Sequence, residues 1–216
     1  MQSLTFFFGK DVSSDIRQNR FPLFLCWGQN MARDIELLEE QFSAIERDAN
    51  QLTAGLTEQL ATWRPADAAW TISECLDHLA TTNRVYLDAM EQAADKARIR
   101  GKLRRGAAVP GWFGRWFAQQ LEPPVKPNRK LKSPANTRPR SAPALAEAYA
   151  DFMESQRRLE SFICQNLDLD LAGVSFPNPF IRGLRFSLAT GIYNILAHDR
   201  RHLWQARQIL LLAQTT

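Results

Sequence analysis

Apolar residues recur at intervals of three and four between residues 31 and 56, the pattern of an amphipathic helix that packs against other helices. The apolar stripe consists of Ile35, Leu38, Phe42, Ile45, Ala49, Leu52 and Leu56. Glutamates fill positions between these residues and face solvent in this arrangement. We therefore predict a first long helix from about Met31 to Gly55, with one side buried.

A second helix is predicted to begin at the segment TISE (71–74). Thr71 can cap the helix while Glu74 reaches back to the backbone N–H of the cap residue, the arrangement known as a capping box. The apolar stripe then continues to about Ala97. Its members are Ile72, Leu76, Leu79, Tyr86 and Met90.

The second half of the chain predicts two further helices. One begins at Ser141–Pro143, where serine can cap the helix and proline fits its first turn. The other runs from about Ser187 to Gln214. The stretch DLDLAGVSFPNPFIRG between them is predicted to be a loop, and we expect no strands.

Four helices of this length with apolar stripes indicate an all-α fold, a four-helix bundle forming a single domain over residues 31–214. Residues 1–30 lack this periodicity, and we interpret them as a flexible N-terminal arm or as lying upstream of a true translation start at Met31. The sequence has no run of 18 apolar residues that could cross a membrane. Three widely spaced cysteines favour reduced thiols, so we expect a cytoplasmic protein.

Charge changes this picture at one place, a basic insert rich in proline and glycine at residues 98–140. Residues 96–140 carry thirteen basic residues and one acidic residue, Glu122, although the whole chain has a net charge of only +4. Within the insert, GWFGRWFAQQL (111–121) predicts a short helix with an aromatic face. We expect the insert to start and end at the same end of the bundle, opposite His78.

The chain has three histidines, and their placement predicts a metal site. His198 and His202 are four residues apart on the fourth helix, so they lie on one helix face about 5–6 Å apart at Cβ and can share an ion. His78 lies in the second helix, and metal sites in bundles are built from inward-facing side chains on facing helices. We predict a divalent metal, zinc or nickel before iron. The alternative is a solvated polar pair and a structural core histidine.

Neighbouring residues refine this prediction. The motif HDRRH has Asp199 where a zinc protease needs glutamate, so that mechanism is excluded. Asn194 and Gln205 share the helix face of the histidine pair and can orient a ligand or a substrate, unless they are simple polar helix positions. Glu74, one turn before His78, can do the same, with capping as the alternative role. We do not expect Cys75 to act as a nucleophile, because buried cysteines are usually inert.

Two motifs resemble the DinB-like superfamily: WRPADAAWTISECLDHL (63–79) and HDRRHLWQARQI (198–209), the second similar to that family's H-x-x-x-H-x-x-Q ending. The resemblance extends over about residues 31–214. It implies an up-down-down-up four-helix bundle with a divalent ion held by His78, His198 and His202. The family includes thiol S-transferases that use bacillithiol, mycothiol or glutathione, metal-dependent hydrolases, and members of unknown activity.

Two functions remain open. The first is a metal-dependent thiol S-transferase or hydrolase acting on a small electrophile, with a low-molecular-weight thiol as cosubstrate. On this hypothesis the insert folds back over the bundle and offers four basic residues to anionic groups of the ligand: Arg104, Arg105, Lys130 and Lys132.

The second function is that of a noncatalytic binding module in which the metal is structural. Its insert would contact nucleic acid or an anionic membrane through basic residues and interleaved aromatic ones. The aromatic residues are Trp112, Phe113, Trp116 and Phe117. The sequence does not decide whether the chain forms a homodimer.

Overall fold

The computed structural model describes residues 33–67, 69–125 and 133–215. These residues are mostly helical, as predicted. Their α-helices are α1 (Arg33–Thr53), α2 (Glu58–Ala61), α3 (Ile72–Ile99), α4 (Trp112–Gln119), α5 (Leu145–Gln165) and α6 (Leu188–Ala213). No helix in this part of the chain is both long enough and apolar enough to cross a bilayer. The predicted N-terminal arm, residues 1–30, lies outside the described residues.

The four long helices pack side by side. Helix α3 contacts α5 and α6, and α1 contacts the same two helices. The apolar stripe predicted for the first helix is buried from Ile35 to Leu52. Helix α1 ends at Thr53, and the chain turns at Gly55, whose φ of 70° favours glycine. Leu56 therefore lies beyond the helix rather than on its stripe.

Helices α3 and α5 run in the same direction. Polar links between them recur every seven residues along both helices, at a constant offset of 67 residues. The links are Arg84 Nη2 to Asp151 Oδ1 (2.9 Å), Arg158 Nε to Glu91 Oε1 (3.0 Å) and Arg98 Nη2 to the Gln165 carbonyl (2.7 Å). A constant offset is possible only between parallel helices, because antiparallel pairing would make the separation change along the pair.

The remaining helix directions follow from similar contacts. Helix α6 runs antiparallel to α3, since Asn83 bonds Asp199 while Met90, further along α3, meets Gly191, an earlier residue of α6. Helix α1 runs parallel to α6, because Gln41 meets Arg200 and Asp48 meets Arg207, again seven residues further on. The two central helices of the sequence therefore point one way and the first and last point the other way.

Because α3 and α5 are parallel, the basic insert that joins them must run the length of the helices. The expectation that it starts and ends at the same end is wrong. The segment leaves α3 after Ile99, and α4 then lies along α6 so closely that a Cβ on Gly114 would sit 2.3 Å from Thr190 Oγ1. Further on, Glu122 Oε2 accepts from Arg200 Nε at 2.9 Å. The segment ends at Arg140, which bonds Asp77 near the start of α3.

The capping box predicted for the second helix is present at the start of α3: Thr71 Oγ1 accepts from the Glu74 N–H, and Glu74 Oε2 accepts from the Thr71 N–H. The predicted start of the third helix is wrong. Ala142 adopts a left-handed φ of 48°, so the chain turns there and α5 begins at Leu145 without a side-chain cap of its own. The Glu58 carboxylate in α2 accepts from the Leu145 N–H instead, at 3.1 Å.

The expectation that the chain has no strands is also wrong. Strands β1 (Ser175–Pro177) and β2 (Arg185–Ser187) form an antiparallel pair in which Phe176 lies opposite Phe186. Both phenylalanines are buried, with β1 against α3 and β2 against α6, while their neighbours in the strands are more exposed. Strands of three residues are too short to show an alternating pattern in the sequence.

Candidate metal centre

The three histidines converge between α3 and α6, as predicted. One ring nitrogen from each of His78, His198 and His202 lies within 4.8 Å of the corresponding nitrogens of the other two. The Nε2 atoms of His78 and His198 are 3.3 Å apart. Two nitrogen ligands bound to one zinc ion at the tetrahedral angle are also about 3.3 Å apart, given bonds of about 2.0–2.1 Å. The spacing of these two nitrogens therefore fits a shared ion.

Hydrogen bonds at Nδ1 fix the tautomers of two of the rings. His78 Nδ1 is 2.5 Å from the Thr137 carbonyl oxygen, and His202 Nδ1 is 2.9 Å from Gln205 Oε1. Both partners are acceptors, so each Nδ1 carries the proton. A neutral imidazole carries only one N–H. The Nε2 atoms of His78 and His202 therefore keep lone pairs that can bind a metal ion. The outer acceptors thus orient the rings as they do in metal sites.

The surroundings keep the imidazoles neutral. Burial lowers the pKa of His78 and lowers those of His198 and His202 well below the ordinary value. Repulsion from neighbouring histidines and from Arg201 lowers the latter two further. Neutral imidazole is the form that binds a metal, so this set of residues fits a divalent cation.

Trp70 covers the histidine cluster. Its ring centroid lies 4.6 Å from that of His78 and 5.5 Å from that of His202. The indole therefore packs against both imidazole rings. His198 differs from its two partners, because its Nδ1 is buried and has no hydrogen-bond partner among the described residues.

The three residues predicted to support the site lie in different environments. Gln205 bonds His202 directly, as noted above. Glu74 has both carboxylate oxygens engaged, one in the capping box and the other with Arg64 Nη2 at 2.7 Å, so it serves the start of α3 rather than the histidines. Asn194 is completely buried one turn before His198.

Asn194 is unusual because neither atom of its side-chain amide makes a hydrogen bond within the described part of the chain. It lies close to Tyr86, whose hydroxyl accepts from Asn178 Nδ2 at 3.3 Å. Burial raises the pKa of Tyr86 to about 12; the hydrogen bond from Asn178 lowers it, and so does the Asn194 amide, which lies near the hydroxyl without meeting the geometry of a hydrogen bond. A buried amide without a partner is costly, which makes Asn194 a candidate for binding a ligand.

Asp199 does not join the histidines, although it lies between them in sequence. Its carboxylate is fully buried and accepts from Asn83 Nδ2 at 3.1 Å and from Gln156 Nε2 at 2.8 Å. It therefore links α6 to α3 and α5. This position explains why HDRRH carries an aspartate without being a zinc-protease motif.

The structure does not bring all four basic candidates to the histidines. Arg104 follows the C-terminal end of α3, more than 20 residues from His78, and bonds Asp34 with Nη2 to Oδ2 at 2.8 Å. At a rise of about 1.5 Å per residue, that end of α3 is about 30 Å from His78. Arg105 is exposed beside Arg104. Lys130 and Lys132 lie outside the described residues.

Sequence reasoning did not identify Thr137, Trp70, Asp77 or Arg140. Thr137 acts through its backbone carbonyl, and a carbonyl has no residue signature. Asp77 offered a signal, an acidic residue directly before a candidate metal ligand inside a helix. Its partner lies 63 residues away, however, so the contact could not be read from spacing.

Comparison with known proteins identifies a family for this chain. The model of the DinB superfamily matches residues 41–206, which include all three histidines. No curated protein and no solved structure matches this chain.

Proposed function

Since this chain belongs to the DinB superfamily, we propose that it is an enzyme dependent on a divalent metal bound by His78, His198 and His202 within a four-helix bundle. The observation that carries the proposal is the 3.3 Å separation of the His78 and His198 Nε2 atoms. The outer hydrogen bonds of His78 and His202 and the lowered pKa values of all three rings support it.

The reaction that suits this site is attack on an electrophile, either by a thiol or by water. A divalent ion bound by His78, His198 and His202 would keep its double charge, because the imidazoles are neutral, and would lower the pKa of a bound water or thiol. Imidazole ligands suit zinc and nickel, and also iron. The residues around the site would act on the ligand: Trp70 would shield it from water, and the Asn194 amide would hold a polar group.

We therefore propose thiol S-transfer or hydrolysis as the activity, with a small thiol and an electrophile as the ligands. Metal analysis of the purified protein comes first. A panel of thiols is then tested with a chromogenic electrophile, with and without chelator. Turnover that needs both metal and thiol identifies an S-transferase, whereas turnover that needs only metal identifies a hydrolase. Protein that retains metal but turns over neither substrate class contradicts the enzymatic proposal.

A second candidate is the noncatalytic binding module, favoured by one surface. Trp112 and Trp116 are 79% and 51% exposed on the outer side of α4, whereas Phe113 and Phe117 pack on Phe186. Exposed tryptophans beside basic residues suit an anionic bilayer or stacked bases. Salt-sensitive retention on anionic vesicles or single-stranded nucleic acid, lost when both tryptophans become serine, would support this candidate. If α4 instead forms the interface of a homodimer, light scattering would show a dimer mass.

A further inference from the structure

The last eight residues of the basic insert reach the histidine cluster. These residues, 133–140, are here called the return segment. A single 3₁₀ turn, Ala135–Thr137, places the Thr137 carbonyl 2.5 Å from His78 Nδ1. Thr137 is buried, and its own hydroxyl donates to the Pro134 carbonyl at 3.2 Å, which closes the turn. The outer partner of His78 is therefore supplied by a connection and not by a helix.

Asp77 holds the same segment. Its carboxylate is 3% exposed and accepts the Arg140 backbone N–H at 2.7 Å on Oδ2 and Arg140 Nε at 2.6 Å on Oδ1. Arg140 Nη2 also bonds Asp151 on α5 at 2.8 Å. Charge-assisted hydrogen bonds to a buried carboxylate are among the stronger ones in proteins. Arg140 is thus fixed to α3 and α5, three residues after Thr137.

Asp77 and His78 are neighbours on α3, so their side chains point about 100° apart around the helix axis. The carboxylate engages the return segment, and the imidazole reaches the histidines of α6. From these contacts we infer that Asp77 is a positioning residue for the metal centre. By holding Arg140, it holds the Thr137 carbonyl on His78 Nδ1, and this keeps the His78 Nε2 lone pair directed toward His198.

The inference rests on the proposed function, since the ion is what His78 would bind. Outer partners of a metal-bound histidine typically contribute about 10–100-fold to metal affinity. Asp77 acts on His78 only indirectly, through Arg140 and the Thr137 carbonyl, so we expect an effect on metal affinity in the lower part of that range. Loss of the Asp77–Arg140 ion pair also affects folding stability. The effect on metal affinity and the effect on stability must therefore be measured separately.

The test compares Asp77→Asn and Arg140→Ala with a matched control, Glu91→Gln. Glu91 lies on the same helix in an ion pair of the same length, 2.6 Å to Arg158, but three to four turns from His78. Zinc affinity is measured by chelator competition, and the melting temperature of metal-free protein gives the structural baseline. Long-range ¹H–¹⁵N NMR on metal-free protein reports which nitrogen of His78 carries the proton.

We expect Asp77→Asn to weaken zinc binding about tenfold or more and to reduce the Nδ1–H form of His78. Arg140→Ala should lose less, because its backbone N–H still reaches Asp77. The double variant should bind zinc no more weakly than Asp77→Asn, since both residues act through the same carbonyl. Should Asp77→Asn fail to fold, Arg140→Ala carries the test, because its side chain is 52% exposed.

The inference is overturned if His78 keeps its wild-type tautomer in both variants, or if their zinc affinity matches that of Glu91→Gln. Wild-type protein that binds no zinc or other divalent ion contradicts the proposed function instead. The tautomer comparison in metal-free protein then still decides whether Asp77 positions His78.

Discussion

Gln156 Nε2 donates to Asp199 Oδ2 across 2.8 Å, so the aspartate of HDRRH is bound to α5 and not to the histidine cluster. Burial raises the pKa of Asp199 to about 7, and the hydrogen bonds from Gln156 and Asn83 lower it. The carboxyl group therefore holds its proton more tightly in the folded protein than in the unfolded chain.

This shift predicts a pH-dependent difference between the wild type and Asp199→Asn. The stabilising contribution of the Asp199 proton is fully present below the ordinary pKa and is lost as pH rises through about 7. The free energy of unfolding of the variant, relative to the wild type, should rise between about pH 5 and about pH 8, by at most roughly 3 kcal/mol. Urea unfolding of metal-free protein at both pH values measures it. A difference independent of pH would contradict the buried, proton-binding role.

His78→Ala should lose most of its bound metal, because one of three ligands is removed. Metal should raise the melting temperature of the wild type but not of the variant, since a ligand that binds only the folded state stabilises it by about 2.7 kcal/mol at one hundred times its Kd. Lys96→Ala, an exposed change near the other end of α3, is the control. Equal metal content in wild type and His78→Ala would rule out the three-histidine site.

Asn194→Leu should separate stability from function. Leucine has a similar size and removes two buried polar atoms that have no hydrogen-bond partner among the residues that the structure describes, so stability should rise by about 1–3 kcal/mol. Metal content should not change, while turnover should fall if the amide holds the substrate. Asn83→Leu is the matched control and should destabilise the protein, because Asn83 bonds Asp199 and Ser155. A less stable Asn194→Leu would show that the amide has a structural partner.

Cys75 should resist alkylation in the folded protein. Burial, aided by the Glu74 carboxylate, raises the pKa of its thiol, so almost no thiolate forms near neutral pH. Iodoacetamide at about pH 8, followed by mass spectrometry, should modify Cys75 only after denaturation. Cys164, which is partly exposed on α5, should react earlier and serves as the internal control. Rapid labelling of native Cys75 would reopen its role as a nucleophile.

The four basic residues proposed to bind an anionic ligand should differ in their effect on KM. They are Arg104, Arg105, Lys130 and Lys132. Lys132 directly precedes Ser133, whose Oγ lies 3.4 Å from His78 Nδ1. Neutralising Lys130 and Lys132 should therefore raise the KM for an anionic thiol, most strongly at low salt, where charges are less screened. Neutralising Arg104 and Arg105 should lower stability through the Asp34 pair and leave KM unchanged. Equal effects of the two pairs on KM would contradict this division.

The long helices and the three histidines could be predicted because both signals are local. The stripe from Ile35 to Leu52 repeats over five turns, and the spacing of His198 and His202 is set by the helix itself. His78 followed from these two, since a third ligand has to come from a facing helix.

The contacts that complete the site could not be predicted, because they depend on tertiary structure. The basic insert returns to Asp77 because α3 and α5 are parallel. This direction could not be predicted, since parallel and antiparallel helices carry the same apolar stripe. The Thr137 carbonyl and the Glu58 cap on α5 likewise involve groups distant in the chain. Charge composition drew attention to Arg104, yet Asp34 neutralises that residue at the far end of α3.

The constant offset between α3 and α5 constrains how these helices can change in length. Adding one residue to α3 between Arg84 and Arg98 would rotate everything after it by about 100° and break the later links to α5. Adding seven residues to both helices at matching positions would restore the links between α3 and α5, because seven residues complete nearly two turns. Viable insertions and deletions in this pair should therefore occur together and in units of seven, a rule that a library of length variants selected for solubility can reveal.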